Sequence, residues 1–467
     1  MDKELLIKKY SEALEEGRAA IFAGAGLSVG AGFPNWSGLL KGIASELDVN
    51  INSINQVDLA QYYVNVKRNS SMLGNIIVNS FPNTATPTEN HRIMSSLPID
   101  TYWTTNFDKL IEKSLEDAGK VFDVKSLPEG LAISKNNCDA CVYKMHGDIN
   151  NPTTAILTRD QFENYPQTHQ AFLNNFGYDL ANKTFLFLGL SFDDPNVRYV
   201  LKYVRMLYRQ NQREHYFIQK KVVKGTYEDV LVFKNRERIQ ELFVEDLKNY
   251  GIQTVLIDDY KEITEILQAI RNRYLRRTIF ISGAAVNYDP YEESEFKEFV
   301  KSLCADIIKH GYRIVTGYGL GLGNEVIAGA IGQLNKEHKT IDGNLFIFPF
   351  PQGFENKEDV WPQYRKEMIS LTGVTLFLIG NKNDTDGNLK NSDGVRLEYE
   401  ISKENENFLI PVGATGYMSK ELWDELIKSH TPIYNKYIDK LKKLGNNSLS
   451  LSELRKIIID LLDNITK

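Results

Sequence analysis

One stretch, Ala19–Ser28 (AAIFAGAGLS), restricts this chain to few folds. A short apolar run from Ala19 to Phe22 feeds into Gly24-Ala25-Gly26, and the residues beyond open like a helix. Strand, glycine turn and helix in that order begin an α/β unit with a parallel sheet. The same geometry brings backbone N–H groups and a helix N-terminus up to a pyrophosphate. Glycine suits the turn because a Cβ would block either the tight bend or the close approach of a phosphate. Alone, such a turn is weakly diagnostic, since many α/β proteins carry one that binds nothing. Two further stretches sharpen it: TTNFD at Thr104–Asp108 and KMHGD at Lys144–Asp148.

Placement along the chain connects the three. Ile99–Thr105, Val142–Met145 and the apolar run Thr184–Leu190 read as strands, followed by His215–Ile218 and Thr254–Ile257. Continuous apolar runs of this kind suit strands buried on both faces of a parallel sheet. Residues 39–80 read mostly as helices, a helical insertion between the first and second strands. Gly24–Ser28, Asn106–Asp108, His146–Asp148 and Ser191–Asp194 therefore all follow strands at their carboxyl ends. Ligands of open α/β sheets bind on that edge. Ser191 joins the expected ligand contacts on this ground.

A fresh strand begins at Thr278 (TIFISGAA), after a helix ending in RNRYLRR. The expected division is therefore 1–275 and 276–467. In the second part Tyr312–Thr316 leads into Gly317-Tyr-Gly-Leu-Gly-Leu-Gly323 and a helix over Asn324–Leu334. Strands are expected at Asn344–Phe350, Gly373–Ile379 and Asn407–Val412, with a helix from Asp393. Ser450-Leu-Ser-Glu453 is a capping-box pattern opening a terminal helix. The predicted class is α/β, with two Rossmann-like domains.

At 467 residues the chain is too long for one ordinary core. Its net charge of −6 argues against a general nucleic-acid binder. No apolar run approaches bilayer length, and Met1–Leu14 reads as an amphipathic helix rather than a signal peptide. No membrane partner is expected. The three cysteines, Cys138, Cys141 and Cys304, form no disulfide framework, so a cytoplasmic setting is the default. Cys138-Asp-Ala-Cys141 has CxxC spacing but no second pair to complete a zinc site. No metal is expected, and two semi-buried thiols near a strand are the expectation.

GAGLSVGAGFP, TTNFD and MHGD, in that order, resemble the signatures of the sirtuin superfamily over about the first 260 residues. The resemblance implies that Gly24, Ala25, Gly26 and Ser28 cradle the phosphates of NAD(+). It implies that Asn106 and Asp108 line the nicotinamide-ribose pocket and that His146 is the base. The residue chemistry agrees. Cleaving a nicotinamide–ribose bond develops oxocarbenium-like charge, as in other glycosidic cleavages. An Asn amide both accepts and donates, so it can orient a water or a ribose hydroxyl. Histidine, with an ordinary pKa of about 6.5, can take a proton near neutrality. Asp108 either supports that pocket or fixes its own loop through Asx bonding.

Two departures bear on the reaction. Sirtuin deacylases carry D-F-R after the G-[IF]-P, where this chain has Asn35-Trp36-Ser37, and a four-cysteine zinc module that this chain lacks. Without a recognisable peptide clamp, water becomes the expected nucleophile and NAD(+) the substrate. Peptide deacylation and pure nucleotide sensing without catalysis are the alternatives.

The second part resembles SLOG-type Rossmannoid domains. Ser282-Gly283 and the Gly317, Gly319, Gly321 loop match their nucleotide-binding turns, and Gly394-Val-Arg-Leu-Glu398 resembles their G-T-x-x-E. The P-G-G of hydrolytic relatives is absent, which favours sensing over catalysis. Arg365 and Lys382 fall near the same predicted edge and suit phosphates as fork and point charge. Sirtuin-like followed by SLOG-like resembles the NAD-depleting effectors of bacterial Thoeris anti-phage systems. That resemblance implies a cyclic ADP-ribose isomer as activator, supplied by a TIR-domain partner protein. It also implies a homo-oligomer, a tetramer, built on the sirtuin-like domains.

Overall fold

The computed structural model describes residues 1–192, 194–226, 228–350, 357–429 and 431–466. Contacts divide the chain into two compact units, Met1–Arg271 and Asn272–Lys467. Each is built on its own parallel sheet, as the alternation of apolar runs and helices predicts. Among the described residues no helix is long and apolar enough to cross a membrane.

The first unit contains β1 (Ala19–Ala23), β2 (Thr101–Thr104), β3 (Phe122–Lys125), β4 (Ala140–Lys144), β5 (Thr184–Leu188), β6 (His215–Lys220) and β7 (Ile252–Ile257). They form a seven-stranded sheet in the order β3-β4-β2-β1-β5-β6-β7. β1 and β5 are buried along their whole length. Phe22, Trp103, Phe185 and Phe187 join the apolar cluster beneath one face. The chain leaves β1 towards β2 and later returns to β1's other side as β5, so the order reverses at β1. Such a reversal splays the loops apart and opens a crevice at the carboxyl edge.

Register fixes the height of that crevice. Lys144 pairs with Thr104, Thr104 with Ala23, and Ala23 with Leu188. All four motif-bearing loops thus start from one row of the sheet. The expected insertion between β1 and β2 is helical, at Trp36–Glu46, Gln56–Lys67, Ser71–Ser80 and Glu89–Ser96.

The second unit holds β8 (Thr278–Ala284), β9 (Arg313–Thr316), β10 (Leu345–Ile347), β11 (Val374–Ile379) and, after a short ribbon of β12 (Asn381–Asn383) and β13 (Leu389–Asn391), β14 (Phe408–Pro411). Five of these form a sheet in the order β10-β9-β8-β11-β14. β10 is shorter than the expected Asn344–Phe350, because Pro349 has no N–H to give to a ladder. The capping box at Ser450 forms as read, with Ser450 and Glu453 exchanging bonds. β3 and the β12–β13 ribbon escaped the sequence reading. Their mixed polar composition gives neither an apolar run nor a clean alternation.

The first glycine turn is explained by packing between loops. A Cβ on Gly24 would lie 2.4 Å from the Gly189 carbonyl oxygen. One on Gly189, itself at φ +64°, would lie 2.3 Å from the Leu27 nitrogen. The turn after β1 and the turn after β5 therefore touch backbone to backbone, and Gly26 N–H donates to Gly189 O at 3.0 Å. Gly189→Ala is expected to destabilise the first unit by about 3 kcal/mol, through strain plus a clash that backbone alone must absorb. Calorimetry should show that unit's transition lowered by roughly 5–10 °C.

Candidate active site

The site grows from the end of β2. Thr104 Oγ1 donates to Ala23 O at 2.8 Å and accepts from Asn106 N at 2.9 Å, tying the TTN turn to β1. Asn106 Nδ2 then donates to Gly24 O and to Ser28 Oγ, each at 3.1 Å. Ser28 Oγ in turn donates to Asp108 Oδ2 at 2.8 Å. Asp108 Oδ1 accepts from Leu110 N at 3.0 Å, fixing the following helix. Asp108 thus both closes its own loop and anchors the Ser28–Asn106 chain.

This network determines the orientation of the amide. Gly24 O can only accept, so the Asn106 nitrogen must face it. Among the described residues, Asn106 Oδ1 is left buried without a hydrogen-bond partner. Ala25, Ser28, Trp36, Asn106 and Asp108 line one pocket at this edge of the sheet. Trp36 Nε1 is a second buried polar atom without a hydrogen bond among the described residues. Asn35 in the N-W-S departure caps the helix that carries Trp36, accepting from Gly38 N at 2.9 Å.

His146 lies one ring beyond the pocket lining. Its ring stands edge-on to Trp36 at 6.2 Å and to Phe162 at 5.1 Å. Nε2 approaches Asp194 Oδ2 at 2.8 Å without meeting hydrogen-bond alignment. Burial works to raise the Asp194 pKa, but His146 and the N–H groups of Asn196 and Val197 hold it below the ordinary carboxylate value. Those N–H groups reach Asp194 Oδ1 at 2.8 and 3.1 Å, so Asp194 is also the N-cap of helix Pro195–Tyr208. The sequence reading placed Asp194 on a polar loop tip but missed its role beside His146. Asp-Pro at a strand-to-helix junction is the signal that could have found it. Ser191 is exposed on the same loop and is not among the pocket-lining residues. Asp193 lies outside the described residues.

The second unit gathers its own polar cluster at the ends of β8, β9 and β11. Ser282 Oγ donates to Glu398 Oε2 at 2.6 Å, and Arg365 Nε lies 3.5 Å from Glu398 Oε1. Burial pushes the Glu398 pKa up, while Ser282 and Arg365 oppose it. The Arg365 guanidinium also sits over the Phe350 ring at 4.5 Å. Cβ atoms on Gly319 and Gly321 would lie 2.1 Å from the carbonyl oxygens of Gly283 and Ala285, and one on Gly317 would meet the Phe350 ring at 3.0 Å. Lys382 stands apart on the β12–β13 ribbon, paired at 2.8 Å with Asp393. Cys138 and Cys141 are half-buried thiols near and on β4, as expected, and Cys304 is buried.

A SIR2-like domain model matches residues 100–252, and the model of the Sir2- and TIR-associating SLOG family matches residues 262–465. The NAD(+) hydrolase ThsA of Bacillus cereus (strain MSX-D12) is 43% identical over 467 aligned positions, covering 98% of both chains. The chain belongs to the NAD(+) hydrolase ThsA family. The ThsA of Cytobacillus dafuensis is 43% identical, covering 93% of this chain and 90% of its own. That of Enterococcus faecium is 42% identical, covering 93% and 92%. The similarity to ThsA thus runs along essentially the whole chain, through both the SIR2-like and the SLOG-family matches.

Proposed function

We propose that the chain hydrolyses NAD(+) to ADP-ribose and nicotinamide in the pocket of the first unit. A cyclic ADP-ribose-type nucleotide held by the second unit switches this reaction on. The observation that carries the catalytic reading is Asn106, whose Nδ2 is spent on the protein while its buried Oδ1 has no partner among the described residues. A buried acceptor left unmade costs about 1–3 kcal/mol, which a donor on the substrate or the attacking water recovers.

In this assignment the bond between nicotinamide and the anomeric carbon of its ribose breaks, and nicotinamide leaves with the electron pair. Water oxygen bonds to that carbon, and the water proton passes to His146. Asn106 Oδ1 accepts from the water or a ribose hydroxyl. Asp108 holds Ser28 and, through it, Asn106. Asp194 keeps the imidazole in place and balances the imidazolium. Gly24, Ala25, Gly26 and Ser28 form the turn against which the pyrophosphate lies, with Ser191 on the neighbouring loop. In the second unit Ser282, Gly283, Gly317, Gly319, Gly321, Arg365, Lys382 and Glu398 receive the activator, made by a TIR-domain partner. The working form is a cytoplasmic homotetramer built on the first units, without metal, depleting NAD(+) in anti-phage defence.

The test is nicotinamide release from NAD(+) by the purified chain, with and without a panel of cyclic ADP-ribose isomers and with no peptide present. Release that requires an isomer, and that His146→Ala abolishes, is the expected result. Release only with an acyl-lysine peptide would make the chain a deacylase. Nucleotide binding without release under any condition would make it a sensor.

A further inference from the structure

The KMHGD stretch holds more than its histidine. Lys144, the last residue of β4, is fully buried. Its Nζ donates to Asp108 O at 2.6 Å and to Phe107 O at 3.3 Å. It also meets Glu112 Oε1 at 2.8 Å and Asp148 Oδ2 at 2.5 Å. One aminium, with three donors, thus grips the backbone of the turn that carries Asn106 and neutralises two buried carboxylates. The contact is set by register, because Lys144 pairs with Thr104 and the turn begins there. Phe107 O takes a second bond from Ile149 N at 3.1 Å, which ties the same turn to the segment just after His146.

Asp108 supports Ser28, Ser28 supports the Asn106 amide, and Lys144 holds the carbonyls of Phe107 and Asp108. The aminium does not line the pocket. We propose that Lys144 is a positioning residue for NAD(+) cleavage, holding the Asn106 amide at its working height through those two carbonyls. This rests on the catalytic assignment of Asn106 above. Glu112 and Asp148 make the buried cation tolerable and are secondary to the positioning.

Charge balance and positioning separate experimentally. Lys144→Met strands two carboxylates in the interior and is expected to destabilise the chain. Adding Glu112→Gln and Asp148→Asn removes that conflict, so the triple variant should regain most of the lost Tm. Its kcat for nicotinamide release, with NAD(+) and the panel of isomers used above, should stay at least about thirtyfold below wild type, with KM within about threefold, since the amide is misplaced rather than absent. Amide hydrogen exchange over residues 104–112 should be faster than in the wild type, a readout independent of activator. A triple variant with kcat within threefold of wild type, or with unchanged exchange over that segment, overturns the proposal. Should the methionine variants fail to fold, Glu112→Gln alone decides. It leaves the aminium, Asp148 and both carbonyls in place, so kcat should stay within threefold, and a thirtyfold loss overturns the inference. Wild-type protein that releases no nicotinamide under any condition would instead remove the catalytic reading itself.

Discussion

Asn106→Ala is expected to lower nicotinamide release from NAD(+) by at least about a hundredfold, in line with losing one preorganised polar group at a reacting centre. The fold should survive, because the side chain sits at the crevice rather than in the apolar cluster. Its loss leaves Gly24 O and Ser28 Oγ without the Nδ2 donor, at a cost of about 1–3 kcal/mol where they remain dry. Asn106→Asp should be equally damaging, although nearly isosteric. A carboxylate would set an oxygen against the Gly24 carbonyl oxygen, two acceptors facing each other. Ser28→Ala is the milder change. It removes the hydroxyl that receives from Asn106 and donates to Asp108, yet the amide keeps Gly24 O, so a loss of roughly tenfold is expected. Steady-state release assays on the three variants check the order. An Asn106→Asp enzyme near wild-type rate would show that the amide orientation read from Gly24 O is wrong.

The parts of this site legible in the sequence are those fixed within one loop. Gly24–Ser28, Asn106–Asp108 and His146 each follow a segment that reads as a strand, and parallel-sheet register lifts them to one edge. The parts that were not legible depend on which loops face each other. Asp194 meets His146 across the sheet from the far side of β5. Lys144 is named by its motif, but that its aminium turns onto the Asn106 loop follows from strand register, which one sequence does not state. The glycines were legible as necessary, for a reason only partly seen. At Gly24 the crowding partner in the structure is the backbone of Gly189, a residue the motif does not include. Helix Lys357–Ser370, which carries Arg365, gives little periodic signal because Pro362 and charged residues interrupt it.

Arg365→Ala should strongly weaken activation while leaving the pocket of the first unit intact. Its Nε is buried 3.5 Å from a Glu398 carboxylate that Ser282 already holds, and among the described residues it makes no hydrogen bond. Phe350 supports the guanidinium from one face at 4.5 Å, and a Cβ on Gly394 would come within 3.2 Å of Nη2. The fork is therefore held in place before any ligand arrives, so an incoming phosphate gains two charge-assisted bonds with little ordering cost. Truncation removes those bonds and also leaves Glu398 as an uncompensated acid facing an anionic ligand. Losing one partner of a buried charge pair costs about 2–5 kcal/mol, so the half-maximal activator concentration should rise at least about thirtyfold. Lys382→Ala is the contrast. Its ion pair with Asp393 is substantially exposed, at 38% and 69% of the two side chains, so a shift under about tenfold is expected. Dose–response curves of nicotinamide release against each cyclic ADP-ribose isomer, paired with direct binding to the same variants, separate lost affinity from lost coupling. Arg365→Ala that binds normally yet fails to switch would place the arginine in the transmission of the signal. Half-maximal activation within tenfold of wild type would remove Arg365 from the activator site.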